Sequence, residues 1–230
     1  MKKEIHINSR RQLRLFPRSS FVDYFKIRVL VGDFYETMAQ AYFGGERKVR
    51  KDITDLEELS CEPDIENHER KTYFEVKASK SSNYFKLFDR QIERYKILLK
   101  DESSWAHPKI DFAFFTYNLK QVLKECPNED ILIKSLAEKT SSMLILPFSI
   151  TEKIWKESKK HCGNLSIYPS FSYFDRRDVN LFLGNSDEAF KKFDIAKTDY
   201  KISKSTFPDN WEIEGFKINA FPILNIGHKL

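Results

Sequence analysis

Cys61-Glu62-Pro63-Asp64, followed ten residues later by Glu75-Val76-Lys77 within Thr72-Tyr73-Phe74-Glu75-Val76-Lys77-Ala78-Ser79, is the stretch that decides how this chain is read. Residues 59–66 and 71–79 have the composition of two neighbouring strands, joined by the polar turn Asn67-His68-Glu69-Arg70. Lys77 lies two residues after Glu75, so both side chains project from one face of the strand. Two carboxylates and an ammonium in this setting are the minimal equipment for metal-dependent phosphodiester hydrolysis. That chemistry needs a divalent cation to polarise the phosphate and positive charge to offset the developing oxyanion. Asp64 and Glu75 offer the hard oxygens that Mg²⁺ prefers, and the Val76 carbonyl between Glu75 and Lys77 could complete the coordination.

Acid-x-Lys triplets are cheap in a chain with 32% charged residues, and Glu46/Lys48, Glu69/Lys71, Glu157/Lys159 and Asp199/Lys201 also qualify. Only Glu75/Lys77 lies inside a strand-like stretch and follows a Pro-Asp at hairpin distance. Two flanking pairs extend the pattern. Gly32-x3-Glu36 places an acid on an upstream helix, among Phe34, Tyr35, Thr37 and Met38, where a carboxylate is costly unless paired or metal-bound. Gln91-x3-Tyr95 puts two polar tips one turn apart on a downstream helix.

Working outward, Ser19/Ser20 start a helix that runs to Phe43 and stops at Gly44-Gly45. Residues 46–53 read as a first strand, and residues 82–100 as a long helix with Phe85, Leu87, Phe88, Ile92, Tyr95, Leu98 and Leu99 at helical spacing. A buried strand over 110–117, a helix over 130–139, a core strand over 143–148 and a helix over 151–160 complete an αβββαβαβα order. That order predicts an α/β fold with a mixed central sheet flanked by helices. Beyond Gly163 the pattern is irregular, with short strands expected near 165–174, 179–183 and 212–223. The parse is a basic arm (1–18), a core (19–162) and a C-terminal extension packed on the same domain (163–230).

The ordered set of helix acid, Pro-Asp, acid-x-Lys and Gln-x3-Tyr resembles the PD-(D/E)xK nuclease superfamily over about residues 30–96. It looks most like the RecB-like branch, which includes the CRISPR-associated exonucleases; Holliday-junction resolvases and restriction endonucleases are further relatives of this kind. The resemblance implies a restriction-endonuclease-like αβββαβ core and cleavage of DNA, whether single-stranded, duplex or branched. It also implies Mg²⁺ or Mn²⁺ held by Glu36, Asp64 and Glu75, with Lys77 assisting the attacking water and Gln91 and Tyr95 lining the site or contacting the DNA strand. Relatives that cut both strands usually work as dimers, so a homodimer is expected. The rival expectation is a non-catalytic nucleic-acid-binding or assembly protein that keeps the fold; an RNA-processing nuclease is a third.

Composition narrows the remaining classes. Three isolated cysteines with no CxxC pair argue against a disulfide framework, a zinc ribbon or a cysteine-held iron–sulfur cluster. GxxxxGK[ST], GxGxxG and GxSxG are all missing, which removes support for P-loop, Rossmann and α/β-hydrolase chemistry. No apolar run reaches the ~18–20 residues that span a bilayer, and the start lacks a signal-type apolar core, so an intracellular, cytoplasmic protein without membrane contact is expected. The net charge is +5, and residues 1–18 carry Lys2, Lys3, Arg10, Arg11, Arg14 and Arg18 against Glu4 alone, a candidate phosphate-contacting arm. Tyr168, Phe171, Tyr173 and Phe174 ahead of Arg176-Arg177 could stack bases, although in a chain with 20 phenylalanines packing is the stronger expectation.

Overall fold

Phe74, Val76 and Ala78 alternate with Tyr73, Glu75 and Lys77 along β4 (Thr72–Lys80), and this two-sided pattern suits a strand covered on both faces. A computed structural model describes residues 2–7, 20–47, 62–80, 84–101, 105–118, 128–162 and 171–229. In it β4 lies inside a seven-stranded sheet ordered β2-β3-β4-β6-β7-β12-β9. The strands are β2 (Glu46–Arg47), β3 (Ile65–Asn67), β4, β6 (Lys109–Tyr117), β7 (Thr140–Pro147), β9 (Tyr200–Thr206) and β12 (Pro222–His228). β2, β3 and β4 are antiparallel neighbours, whereas β4 and β6 run parallel from Thr72↔Lys109 to Lys80↔Tyr117. β6/β7 and β12/β9 are antiparallel and β12/β7 parallel, so the sheet is mixed.

The sheet divides the core in two. On one face Phe74 and Val76 of β4, Ala113, Phe115 and Tyr117 of β6, and Met143 and Ile145 of β7 pack against α1 (Ser20–Phe43) and α3 (Glu129–Lys139). On the other, Tyr73, Phe112, Phe114, Leu144 and Leu146 meet α2 (Asp89–Leu98), α4 (Phe148–Cys162), α5 (Arg176–Gly184) and α6 (Ser186–Lys192). Burying apolar area on both faces at ~25 cal/mol per Å² is the main favourable term for such a layered fold.

Gly44 and Gly45 end α1, both at positive φ. A side chain at Gly45 would collide with the Glu66 carbonyl oxygen, so glycine permits the close passage that brings β2 beside β3. Asn67 locks the same corner: its amide donates to the Phe43 carbonyl at 3.0 Å and its carbonyl accepts from the Arg70 N–H at 2.9 Å. The turn predicted over 67–70 therefore also anchors the end of α1.

Two sequence expectations are corrected. Residues 84–88 are not the start of the helix predicted over 82–100: Tyr84–Phe88 is a strand, β5, paired antiparallel with β8 (Phe171–Asp175) outside the main sheet, and α2 begins at Asp89. Phe85 and Leu87 satisfy a two-residue alternation as well as a helical one, and both are buried. Residues 179–183, expected as a strand, lie in α5, whose Asp175 cap accepts from the Arg177 N–H at 2.7 Å.

A small second sheet joins residues 3–5 to residues 211–217. β1 (Lys3–Ile5) pairs parallel with β10 (Trp211–Ile213), which continues into β11 (Phe216–Lys217). Lys2 is paired with Glu212, and Lys3 donates to the Ala41 carbonyl at 2.9 Å while lying over the Trp211 ring. These two cations of the expected arm are thus engaged within the fold; Arg10, Arg11, Arg14 and Arg18 lie outside the described residues, as do Cys61, the 48–53 part of the predicted first strand and Tyr168. No helix among the described residues is long and apolar enough to cross a membrane.

Candidate active site

Glu75 is the centre of the site. It sits mid-strand on the α2 side of β4, 1% exposed, so its charge must be met by neighbouring donors. Three side chains meet it. Lys77, from the same strand face, pairs with Oε1; Gln91 Nε2 donates to Oε1 at 3.1 Å; and the Tyr95 hydroxyl donates to Oε2. Gln91 and Tyr95 point the same way because they are one helical turn apart on α2. The other end of the Gln91 amide is fixed too, its Oε1 accepting from the Phe88 N–H at 3.2 Å at the start of the helix. Gln91 and Tyr95 are both buried and hold Glu75, so here they orient a carboxylate.

Asp64 comes from the strand next door. Ile65 pairs with Phe74, and continuing that register one step sets Asp64 opposite Glu75. Its Oδ2 accepts from the Val76 N–H at 2.7 Å, so the side chain takes up a ladder donor just where β3 begins. Burial raises the Asp64 carboxyl well above its ordinary value, and the charges of Glu75 and Glu36 raise it further; Lys77 and the Val76 amide oppose them. Asp64 thus lies within electrostatic reach of both Glu75 and Glu36.

Glu36 comes from α1. Gly32, one turn earlier, leaves space beside it: a Cβ there would lie 3.8 Å from Glu36 Oε1. Its Oε2 accepts from Arg47 Nε at 2.9 Å and Nη2 at 2.6 Å, and the same guanidinium pairs with Asp33. Among the described residues no three His, Cys, Asp or Glu side chains are arranged as a ready metal cage. The structure therefore brings Asp64, Glu75, Lys77, Gln91 and Tyr95 together, and joins Glu36 to them by charge while its carboxylate is held by Arg47.

Sequence reasoning missed Asp33 and Arg47. Asp33 carries a signal, an acid three residues before Glu36 on one helix, while Arg47 lay unremarked in a charged strand. It also missed the Glu62–Arg94 pair, 2.9 Å from guanidinium to carboxylate, which ties the residue before Pro63 to α2. Of the competing triplets, Glu69 and Lys71 are exposed in the turn and Glu157 and Lys159 lie on a helix, each with another partner (Lys160 and Asp89). His68 accepts from Trp105 Nε1 at 3.3 Å at the edge of the turn.

As for chemistry, the set provides hard anionic oxygens from Asp64 and Glu75, an ammonium against Glu75 with its side chain 18% exposed, and a dry scaffold that fixes one carboxylate from three sides. This donor set suits a hard divalent cation, which would also relieve the repulsion between the two buried carboxylates. In a comparison with known proteins, no family model, no curated protein and no solved structure matches the chain.

Proposed function

We propose that this chain is a metal-dependent nuclease of the PD-(D/E)xK type that hydrolyses DNA phosphodiester bonds. The observation that carries the reading is the buried Glu75 carboxylate, clasped by Lys77, Gln91 and Tyr95 and set beside Asp64. A buried acid is expensive, and a fold that surrounds it with another acid and a lysine has a stronger reason than packing. The main-sheet order, a helix, three antiparallel strands, then a helix crossing to a parallel strand, agrees with the αβββαβ core expected from the sequence; β5 and β8 stand outside it.

In this reading Asp64 and Glu75 hold Mg²⁺ or Mn²⁺, with the Val76 carbonyl beside them. When bound, the cation polarises the phosphate and lowers the pKa of a coordinated water. The protein's own groups do the rest. Gln91 and Tyr95 keep Glu75 in one rotamer, as outer hydrogen bonds do for metal-holding carboxylates. Lys77 brings positive charge to the same strand face, where it can orient the attacking water or face the phosphate.

The test is incubation of labelled single-stranded, duplex and four-way-junction DNA with Mg²⁺ or Mn²⁺, for the wild type and Asp64→Asn. Cleavage by the wild type, lost in the variant, is expected. Cleavage that survives Asp64→Asn would remove the site, and failure to cut any substrate with either cation would favour a non-catalytic nucleic-acid-binding protein of the same architecture.

A further inference from the structure

β5 and β8 form a two-stranded ribbon outside the main sheet, and β5 connects the strand that carries Glu75 and Lys77 to the helix that carries Gln91 and Tyr95. The antiparallel register runs from Tyr84↔Asp175 to Phe88↔Phe171, with Lys86 opposite Tyr173. Opposite residues share a face and successive pairs alternate between faces, so the ribbon has two distinct sides. One side is core: Phe85 and Leu87 are 1% and 0% exposed, and the Phe85 ring meets Phe114 of β6 edge-on at 4.9 Å. The other side carries the Tyr84, Lys86 and Phe88 positions with those opposite them, and Tyr84 on it is 45% exposed. Packing therefore accounts for only half of the ribbon's aromatic residues.

Cations frame that outer side. The Arg90 guanidinium lies over the Phe88 ring, 5.4 Å from its centre. Arg177, its side chain 85% exposed, pairs at 2.6 Å with Asp175, the residue opposite Tyr84. Residues 84–90 and 171–177 hold Lys86, Arg90, Arg176 and Arg177 against two carboxylates, one of which, Asp89, is already paired with Lys159. The ribbon is also tied to the candidate site by contact. The Phe88 N–H donates to Gln91 Oε1 at 3.2 Å, and Gln91 Nε2 donates to Glu75 Oε1 at 3.1 Å. The Phe88 end of the outer face is thus two hydrogen bonds from the central carboxylate.

We propose that the outer face of the β5/β8 ribbon is a platform for single-stranded DNA, on which bases stack against Tyr84 and Phe88 while Arg90 and Arg177 meet the phosphates. It rests on the nuclease reading above for taking DNA as the substrate, and it narrows that substrate to an unpaired strand. A ring can stack only on a base whose face is free, and in a duplex those faces are covered by the neighbouring base pairs. Alternate ribbon positions lie about 6.8 Å apart along the strand, so the Tyr84 and Phe88 rings serve different bases of an extended strand. Positive charge interleaved with aromatic rings is the combination that holds a single strand with little regard to its sequence. Because the ribbon joins β4 to α2, a strand lying along it is delivered beside Glu75 and Lys77.

Fluorescence anisotropy of a labelled single-stranded oligonucleotide and its duplex, titrated with the full chain in EDTA, measures binding apart from cleavage. The single strand should bind more tightly than the duplex at equal salt. Tyr84→Ala should weaken it roughly 5- to 100-fold, the worth of one stacked base, while Tyr84→Phe keeps the ring and should bind like the wild type. Arg90→Gln should flatten the dependence of log K on log salt by about 0.7. Ile131→Ala, at a side chain also 45% exposed but on α3 across the sheet, should change nothing. Melting curves of the Tyr84 variants should match the wild type, since the ring is largely in water. Tighter binding of the duplex, or wild-type affinity in Tyr84→Ala, would overturn the platform. If Tyr84→Ala loses binding in EDTA but the wild type cuts nothing with Mg²⁺ or Mn²⁺, the platform stands and the nuclease reading falls. If the wild type cuts single strands and Tyr84→Ala binds and cuts equally well, the nuclease reading stands and the platform falls.

Discussion

Lys77→Met separates a lysine that works with a cation from one that only balances a buried acid. In the wild type Glu75 is 1% exposed and Lys77 is its cationic partner, with the Asp64 carboxyl nearby. Removing one partner of a buried pair costs about 3–5 kcal/mol when the other charge is left alone. Here Gln91 at 3.1 Å and the Tyr95 hydroxyl still donate to Glu75, and the Lys77 side chain is 18% exposed, so roughly 2–3 kcal/mol is the appropriate figure. For a chain of this size that corresponds to a fall in Tm of about 4–12 °C in EDTA. With the Lys77 charge gone, a divalent cation at Asp64 and Glu75 would bind more tightly than in the wild type, and each tenfold gain in affinity returns about 1.4 kcal/mol beyond what the wild type gains at the same saturating concentration. The cation should therefore raise the Tm of Lys77→Met more than that of the wild type, narrowing the gap, while cleavage stays at least ~100-fold down for want of charge facing the phosphate. The assay is a melting curve in EDTA and in Mg²⁺, paired with cleavage of labelled DNA. A variant as stable as wild type in EDTA would refute the burial argument. A loss that Mg²⁺ and Mn²⁺ leave unchanged would refute the shared site and leave Lys77 a structural residue.

The other expectations come from the same layers. Tyr95→Phe removes one donor from Glu75 and should cost about 1.5–3 kcal/mol in urea unfolding, with Mn²⁺ affinity or cleavage down roughly 10- to 100-fold; equal activity would show that Glu75 needs no such holding. Burial raises the Asp111 carboxyl to about 7 from its ordinary 3.8, opposed by Lys109. Between those values the folded chain keeps a proton that the unfolded chain has released, so stability falls as pH rises through that window, by up to about 4 kcal/mol. Asp111→Asn should therefore stabilise the protein at pH 8 and have little effect at pH 4; melting curves showing the same difference at both would refute it.

The fold was legible where burial writes a strong period. Residues 110–117 are apolar almost throughout because β6 is covered on both faces, and they match the observed Lys109–Tyr117 closely. The helix from Ser20 to Phe43 could be seen because Gly44-Gly45 stops it, and the helix at Glu129–Lys139 carries its own cap, Asn128 accepting from the Asp130 N–H at 2.7 Å. What was not legible depends on distant partners. β5 is a strand because β8 pairs with it from beyond residue 170, and nothing local distinguishes Tyr84–Phe88 from the first turn of a helix. β12 completes the main sheet as a parallel neighbour of β7, with Ile223 opposite Met143 some eighty residues earlier, and no local signal announces such a pairing.

The candidate site divides along the same line. Asp64, Glu75 and Lys77 could be found because hairpin distance and the two-residue strand period set them on one face of neighbouring strands. Gln91 and Tyr95 could be found because the helical turn sets their tips together. Arg47 could not, since its choice of Asp33 and Glu36 depends on how β2 docks against α1 after the glycine pair, and that docking is fixed by tertiary contacts such as Asn67 to Phe43. Local periodicity can set donors and acceptors facing each other, whereas a counter-ion is assigned by whichever charge the fold delivers to a buried carboxylate. Reading Glu36 from sequence alone as a cation ligand therefore left out Arg47, the guanidinium that holds its carboxylate in the fold.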